Sequence, residues 1–257
     1  MDKIRLWTKK YKYGLALSGG GIKGLAHLGI IKALNEEGIY PEIITGVSAG
    51  AIAGVFIADG HSPDEIIKLF QNKKTFDFAK IHFQRLGFGN MEGMKHFIQE
   101  NISAKNFEDL QTPLIVVATD LNNAKIKYFS EGNIAEAVIA SASIPVIFRP
   151  TVINNIQYVD GGVLNNLAIE PLLKNCKKII GVYVNPIGKQ KKFTNLISIA
   201  ERSFHMGVEP NLYDKKQMCD IFIEPHGLEK FSMRNVKKAK EIFNIGYREA
   251  KKTLEKL

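Results

Sequence analysis

The segment Ile43-Ile44-Thr45-Gly46-Val47-Ser48-Ala49-Gly50-Ala51 permits very few local structures. An apolar run leads into Ser48, and a small-residue helical pattern from Ala51 to Ala58 leads out. A serine between a strand and a helix sits on a sharp, strained turn that pushes its hydroxyl outward. Gly46 and Gly50 carry no Cβ, so strand and helix can close on each other around that turn. The helix N-terminus just past Ser48 adds a positive field that favours developing negative charge. A tight turn between small residues gives the same pattern, so Ser48 alone does not define a site.

Two further segments narrow the choice. The apolar run Leu15-Ala16-Leu17 is followed by Ser18-Gly19-Gly20-Gly21-Ile22-Lys23-Gly24, and a helical pattern then runs from about Ile22 to Glu37, with Gly38 as its stop. Consecutive glycines before a helix expose bare backbone N–H groups, a nest suited to anions. It can hold a phosphate or the oxyanion of an acyl-transfer intermediate. Much later, Tyr158-Val159-Asp160-Gly161-Gly162 ends a strand-like run in a carboxylate followed by two permissive glycines. A serine, an anion-binding loop and a candidate base together make a minimal acyl-transfer site.

In these boxes the chain resembles the patatin-like phospholipases, lipid acyl hydrolases that use a Ser–Asp dyad. Gly19 to Gly24 match the family's glycine-rich box, Gly46 to Gly50 its nucleophile box, and Asp160 to Gly162 its Asp-Gly-Gly box. Ser141-Ala142-Ser143-Ile144-Pro145-Val146-Ile147-Phe148-Arg149-Pro150 matches a further family segment, and all four follow the family's order. The likeness covers roughly residues 12 to 185. Ser18 departs from the acidic residue that plant members carry before the glycines, a position that does not supply the chemistry.

The resemblance implies an α/β fold, a mainly parallel sheet flanked by helices in three layers. It implies Ser48 as nucleophile, Asp160 as base, and Gly19, Gly20, Gly21, Ile22 and Gly24 as the oxyanion loop, with Gly161 and Gly162 shaping the turn after the base. Val146, Ile147 and Phe148 are candidates for an acyl channel, with core packing as the competing account. Lys23 either steadies the loop or meets a lipid phosphate. This chemistry requires neither cofactor nor metal, and the expected partner is a lipid ester.

Two other catalytic or binding schemes compete. An α/β-hydrolase would use one of the six histidines in a triad, and His226, after Ile221-Phe222-Ile223-Glu224-Pro225 and before Gly227, is the serious candidate. Against it, the elbow follows the second expected strand, and the Asp160 box is left unexplained. His27, one turn beyond the glycine loop, reads as a packed or hydrogen-bonding histidine. The glycine loop also satisfies the dinucleotide pattern G-x-G-x-x-G, which predicts an acid ending the second strand. That strand ends instead at Thr45-Gly46-Val47-Ser48. A lipid-binding regulator with little turnover is the non-enzymatic alternative.

Alternating patterns give strands at Leu15 to Ser18, Ile43 to Gly46, Leu114 to Thr119, Ile126 to Phe129, Gln157 to Val159, Ile179 to Val184 and Ile221 to Glu224. Ser62-Pro63-Asp64-Glu65 is a helix start, and Asn122-Asn123 and Asn154-Asn155 are turn pairs. A C-terminal helix is expected from about Asn235 to Lys256. The 257 residues, 45% of them hydrophobic, are expected to form one domain with a core over 12–185 and a basic helical segment over 232–257.

The N-terminus has no apolar signal region, and the longest membrane-like stretch, Ile43 to Ala58, falls short of the ~20 residues of a spanning helix. Cys176 and Cys219 form no motif and read as free thiols of a reducing, cytoplasmic compartment. The net charge of +9 is carried by lysine groups such as Lys174, Lys177, Lys178 and Lys189, Lys191, Lys192. An anionic membrane face would attract them, and so would nucleic acid, but no nucleic-acid module accompanies the charge. A solvated lysine-rich surface is the plainer account. Lys73 to Asn90, where Phe76, Phe78, Phe83 and Phe88 alternate with cations, reads as a cap over the acyl pocket, a surface dipping into lipid, or a packed excursion.

Overall fold

The computed structural model describes residues 9–71, 91–189, 199, 202–203, 206–207, 212–231 and 238–257. The stretch Lys73 to Asn90, with its readings as cap, lipid-dipping surface or packed excursion, lies outside them, as do Lys191 and Lys192.

The chain alternates strands and helices: β1 (Tyr11–Leu17), α1 (Leu25–Glu36), β2 (Ile43–Val47), α2 (Ala49–Ala58), α3 (Pro63–Gln71), α4 (Glu92–Asn101), β3 (Leu114–Asp120), β4 (Lys125–Phe129), α5 (Ile134–Ala142), β5 (Thr151–Ile153), β6 (Ile156–Asp160), α6 (Glu170–Leu173), β7 (Cys176–Val182), α7 (Leu212–Gln217), β8 (Ile221–Ile223) and α8 (Ala239–Leu254). They build one eight-stranded mixed sheet in the order β5-β6-β3-β2-β1-β7-β8, with β4 also paired to β3. Strands β3, β2, β1, β7 and β8 run parallel, as the α/β expectation requires. The buried apolar run of the central strand, Leu15-Ala16-Leu17, reflects a sheet covered on both faces. The larger core lies between the sheet and α1, α2 and α5, and a smaller one lies under Leu167, Ile169 and Leu172 on the opposite face.

One feature of register governs the site. Strand β4 occupies one side of β3 along Val116 to Asp120. Therefore β2 and β6 must share the other side. Strand β2 pairs up to Val47 opposite Val117, and β6 arrives antiparallel and ends with Asp160 opposite Ala118. The two strands meet head to head on consecutive residues of β3. A Cβ at Gly161 would lie 2.1 Å from Val117 O and 3.1 Å from Val47 Cγ1, so only glycine fits the junction.

Local signals set several boundaries. Ser62 and Glu65 close a reciprocal capping box at α3, with Ser62 N–H donating to Glu65 Oε2 at 2.8 Å and Glu65 N–H to Ser62 Oγ at 3.3 Å. Asn154 and Asn155 both take positive φ, 50° and 61°, which turns β5 into β6. The turn pair marks this hairpin in the sequence, but the three-residue β5 is too short to register as a strand. Strands β1 and β7 begin earlier than expected, at Tyr11 and Cys176, because exposed Lys12, Lys177 and Lys178 interrupt the apolar pattern at their amino ends.

The C-terminal helix α8 crosses α1 at two glycines. A Cβ at Gly29 would fall 2.0 Å from Phe243 O, and one at Gly246 would fall 2.2 Å from Ala26 O. The backbones touch there, which fixes α8 against the helix that follows the glycine loop. Gly246→Ala is expected to lower the unfolding free energy by about 1–3 kcal/mol, the usual range for overpacking. Urea titration measures it, and an unchanged midpoint would contradict this packing.

Candidate active site

Ser48 is the residue between β2 and α2, and its backbone sits at φ 52°, ψ −117°. Only close packing of small residues allows this turn. A Cβ at Gly46 would lie 2.7 Å from Ala51 Cα, and one at Gly50 would lie 2.3 Å from Leu17 O. The strained residue is held by a partner from elsewhere in the chain. Ser48 N–H donates to Ser141 Oγ at 2.8 Å, and Ser141 Oγ donates to Val117 O at 2.6 Å. Ser141 thus ties the elbow to β3. In the sequence Ser141 stands only as the first residue of the family-like segment Ser141 to Pro150, since nothing local pairs it with Ser48.

Asp160 ends β6 and caps the 3-10 turn Gly161–Val163, where Gly162 N–H donates to its Oδ1 at 2.8 Å. Its backbone is fixed from two sides: its N–H donates to Ser143 O at 2.9 Å, and its C=O accepts from Thr119 Oγ1 at 3.0 Å. Its side chain is buried, and Ser48 is the side chain that acts on its carboxyl. Burial pushes the carboxyl up to about 6, while the bonds from Ser48 and Gly162 act in the opposite direction. A carboxylate so placed can take a proton from the neighbouring hydroxyl near neutral pH.

The glycine loop leaves β1 beside Ser48: a Cβ at Gly19 would come within 3.2 Å of Ser48 Cβ. Not every loop residue that the resemblance marks can act as a donor. Gly19 N–H is already taken by Asn166, through Oδ1 at 3.1 Å and O at 3.3 Å. Gly24 belongs to the 3-10 turn Gly21–Gly24 and serves packing, since a Cβ there would lie 2.5 Å from Ala49 Cβ. The N–H groups of Gly20, Gly21 and Ile22 have no acceptor among the described residues. The expected α1 start at Ile22 is displaced to Leu25, because this turn lies between.

Lys23 is buried and turned toward the end of β7, where its Nζ donates to Asn185 Oδ1 at 3.1 Å. Burial lowers its pKa to about 8, with Glu229 opposing and Arg202 adding to the effect. Of its two sequence readings, loop support fits this contact. The pocket candidates separate by burial: Val146 is exposed at φ 72°, Ile147 is buried and Phe148 is half-buried.

His226 is exposed just beyond β8. β8 is separated from β2 by β1 and β7, three strand spacings or about 14 Å. Among the described residues no histidine hydrogen-bonds Ser48 or Asp160, so the triad alternative lacks its geometry. The exposed Lys174, Lys177 and Lys178 lie at the amino end of the sheet, the edge opposite Ser48. Among the described residues no helix is long and apolar enough to cross a membrane.

The model of the patatin-like phospholipase family matches residues 15–173. The chain belongs to the patatin-like phospholipase family. It is 31% identical over 214 residues to the uncharacterized protein YqhO of Bacillus subtilis, covering 70% of this chain and 73% of that one. It is 30% identical over 164 residues to the uncharacterized NTE family protein Rv1063c of Mycobacterium tuberculosis, covering 63% of this chain but 45% of the relative. The lysophospholipase nte1 of Emericella nidulans is 28% identical over 166 residues, 61% of this chain and 11% of that protein. The chain therefore spans under half of the mycobacterial relative and about a tenth of the fungal one. Among solved structures, VipD of Legionella pneumophila superposes with a TM-score of 0.56 at 15% identity, over 97% of this chain and 67% of that one. The type III effector ExoU gives 0.52 at 13% identity, over 96% of this patatin-like chain and 53% of the effector. At such identities the likeness is one of fold.

The electrostatics of Asp160 carry a stability consequence. The rise from 3.8 to about 6 means that holding the ionised carboxylate costs about 3 kcal/mol at neutral pH. Between those values the folded state binds more protons than the unfolded one, so stability falls as pH rises through the window and is level above it. Asp160→Asn keeps an acceptor for Gly162 without the charge. We expect it to raise the unfolding free energy by about 1–3 kcal/mol at pH 7.5, with the gain shrinking toward pH 4. Denaturant titrations at both pH values check this, and a destabilised asparagine variant at pH 7.5 would contradict it.

Proposed function

We propose that this patatin-like protein is a lipid acyl hydrolase that cleaves carboxylic esters of phospholipids or lysophospholipids through Ser48 and Asp160. The observation that carries the reading is the head-to-head meeting of β2 and β6 on β3, which brings Ser48 beside the buried Asp160, whose carboxyl burial pushes up to about 6. The family placement supports lipid hydrolysis, and the lysophospholipase name of a fungal relative supports the substrate class.

The chemistry follows from the arrangement. Ser48 Oγ attacks the ester carbonyl carbon while its proton passes to Asp160. The carbonyl oxygen becomes an oxyanion, held by the N–H groups of Gly20, Gly21 and Ile22 and by the field at the start of α2. The intermediate collapses, the carbon–oxygen bond to the leaving alcohol breaks, and Asp160 returns the proton to that alcohol. Asp160 then draws a proton from water, whose oxygen attacks the acyl carbon; as the bond from that carbon to Ser48 Oγ breaks, Asp160 returns the proton to Ser48 Oγ and the fatty acid is released. The charge borne by Asp160 changes in each half-reaction, and its raised pKa keeps both forms accessible near neutrality.

Turnover of a lysophospholipid, a diacyl phospholipid and a neutral glyceride should vanish together in Ser48→Ala. Asp160→Asn should lower kcat by about 10²–10⁴, the usual worth of a positioned base, and His226→Ala should change it by less than about threefold. Fatty-acid release by mass spectrometry reads all three variants. More than a few per cent of activity left in Ser48→Ala would end the proposal, and a large loss confined to His226→Ala would restore the triad.

A further inference from the structure

We propose that His27 and Asn166 act as positioning residues that grip the two sides of the Ser18–Gly19 peptide plane and so set the orientation of the glycine loop beside Ser48. The inference rests on the reading of that loop as the oxyanion site. The Ser18–Gly19 peptide has two polar groups, and each meets a buried side chain from a different part of the chain. Its C=O lies 2.8 Å from His27 Nε2, and its N–H donates to Asn166 Oδ1 at 3.1 Å. The Asn166 carbonyl backs that second contact at 3.3 Å. Ser18 Oγ completes the grip, accepting from Val184 N–H at 3.0 Å and donating to Gly19 O at 3.1 Å.

The loop needs such support. Gly19, Gly20 and Gly21 have no side chains to stiffen them, and Gly21 takes φ 56°. Yet donors aimed at a developing charge are effective only when they do not reorganise as it forms. A change in the Ser18 ψ angle that Gly19 does not compensate would swing the loop that follows, and with it the N–H groups of Gly20, Gly21 and Ile22. With both of its polar groups engaged, the Ser18–Gly19 plane cannot flip without breaking two buried hydrogen bonds.

His27 is a costly choice for mere packing. It is fully buried, and its Nδ1 has no partner among the described residues. A carbonyl oxygen can only accept, so Nε2 carries the proton and Nδ1 stays bare. Burial lowers the ring to about 4, which keeps it a neutral donor at working pH. A leucine would fill that space without an orphaned nitrogen, so the bond to Ser18 O is what the histidine supplies. Asn166 lies six residues past Asp160 in the chain. The segment that delivers the base therefore also sets the loop.

The test is steady-state kinetics on a short soluble ester together with amide hydrogen exchange of the Gly19 region. His27→Leu removes the donor, Asn166→Ala removes Oδ1, and His27→Gln returns an N–H near the Nε2 position. We expect His27→Leu and Asn166→Ala each to lower kcat about 10–100-fold with KM within about threefold, less than outright loss of an oxyanion donor. His27→Gln should return to within about fivefold of the parent. Because both residues hold one plane, the double variant should be little slower than the slower single. Gly19 N–H should exchange at least about tenfold faster in His27→Leu and Asn166→Ala, but not in His27→Gln. A glutamine variant as slow as leucine, fully multiplicative losses, or a change confined to KM would overturn the proposal. If His27→Leu does not fold, Asn166→Ala and His27→Gln carry the test. Should Ser48→Ala prove as active as the parent, the oxyanion reading fails. Gly19 exchange then decides the grip by itself, an unchanged rate in Asn166→Ala refuting it.

Discussion

The site depends on how β3 is shared. β4 takes one side of it, and β2 and β6 divide the other at the Val117–Ala118 boundary. Because β2 climbs and β6 descends, their ends abut, and the residues at those ends are Ser48 and Asp160. No loop has to bring them together. The antiparallel β5–β6 hairpin in a mainly parallel sheet is therefore what the site is built on. Gly161 is the residue that lets the two ends touch, and Ser141 ties the same boundary to the elbow through Val117 O.

The junction is buried, and burial has opposite effects on stability and chemistry. It raises the Asp160 carboxyl to about 6, which suits the base role proposed for it but costs stability whenever it is ionised. The elbow adds backbone strain at Ser48. Neighbouring structure offsets both: α1, which follows the glycine loop, is locked to α8 by the Gly29 and Gly246 crossing, and Lys251 of α8 pairs with Glu37 at 2.6 Å. Residues far from Ser48 thus keep the strained site folded.

Ser48, the glycine loop and Asp160 were legible in the sequence because each is a local signal: a glycine-flanked turn, a glycine run before a helix, a carboxylate before two glycines. The parallel core was legible for the same reason, through the apolar runs of β1, β2, β3 and β7. What escaped were contacts between distant segments. Ser141 is 93 residues from Ser48, Asn166 is 147 from Gly19, and the α1–α8 crossing spans most of the chain. None leaves a periodicity. Gly246 looked like one more small residue on an apolar face, and Gly19 like one more donor. The exposed lysines at the amino end of β7 also concealed that strand's start, and their position opposite Ser48 could not be read from their number.

The central claim is that Ser48 is activated by Asp160 and by no histidine. Its most direct measurement is the pH dependence of Ser48 modification by a long-chain fluorophosphonate, with the adduct mapped by peptide mass spectrometry. The account predicts a single adduct on Ser48. Its rate should rise about tenfold per pH unit below about 6, level off above, and lose that limb in Asp160→Asn. An adduct on another residue, or a limb that survives Asp160→Asn and disappears in His226→Ala, would contradict it.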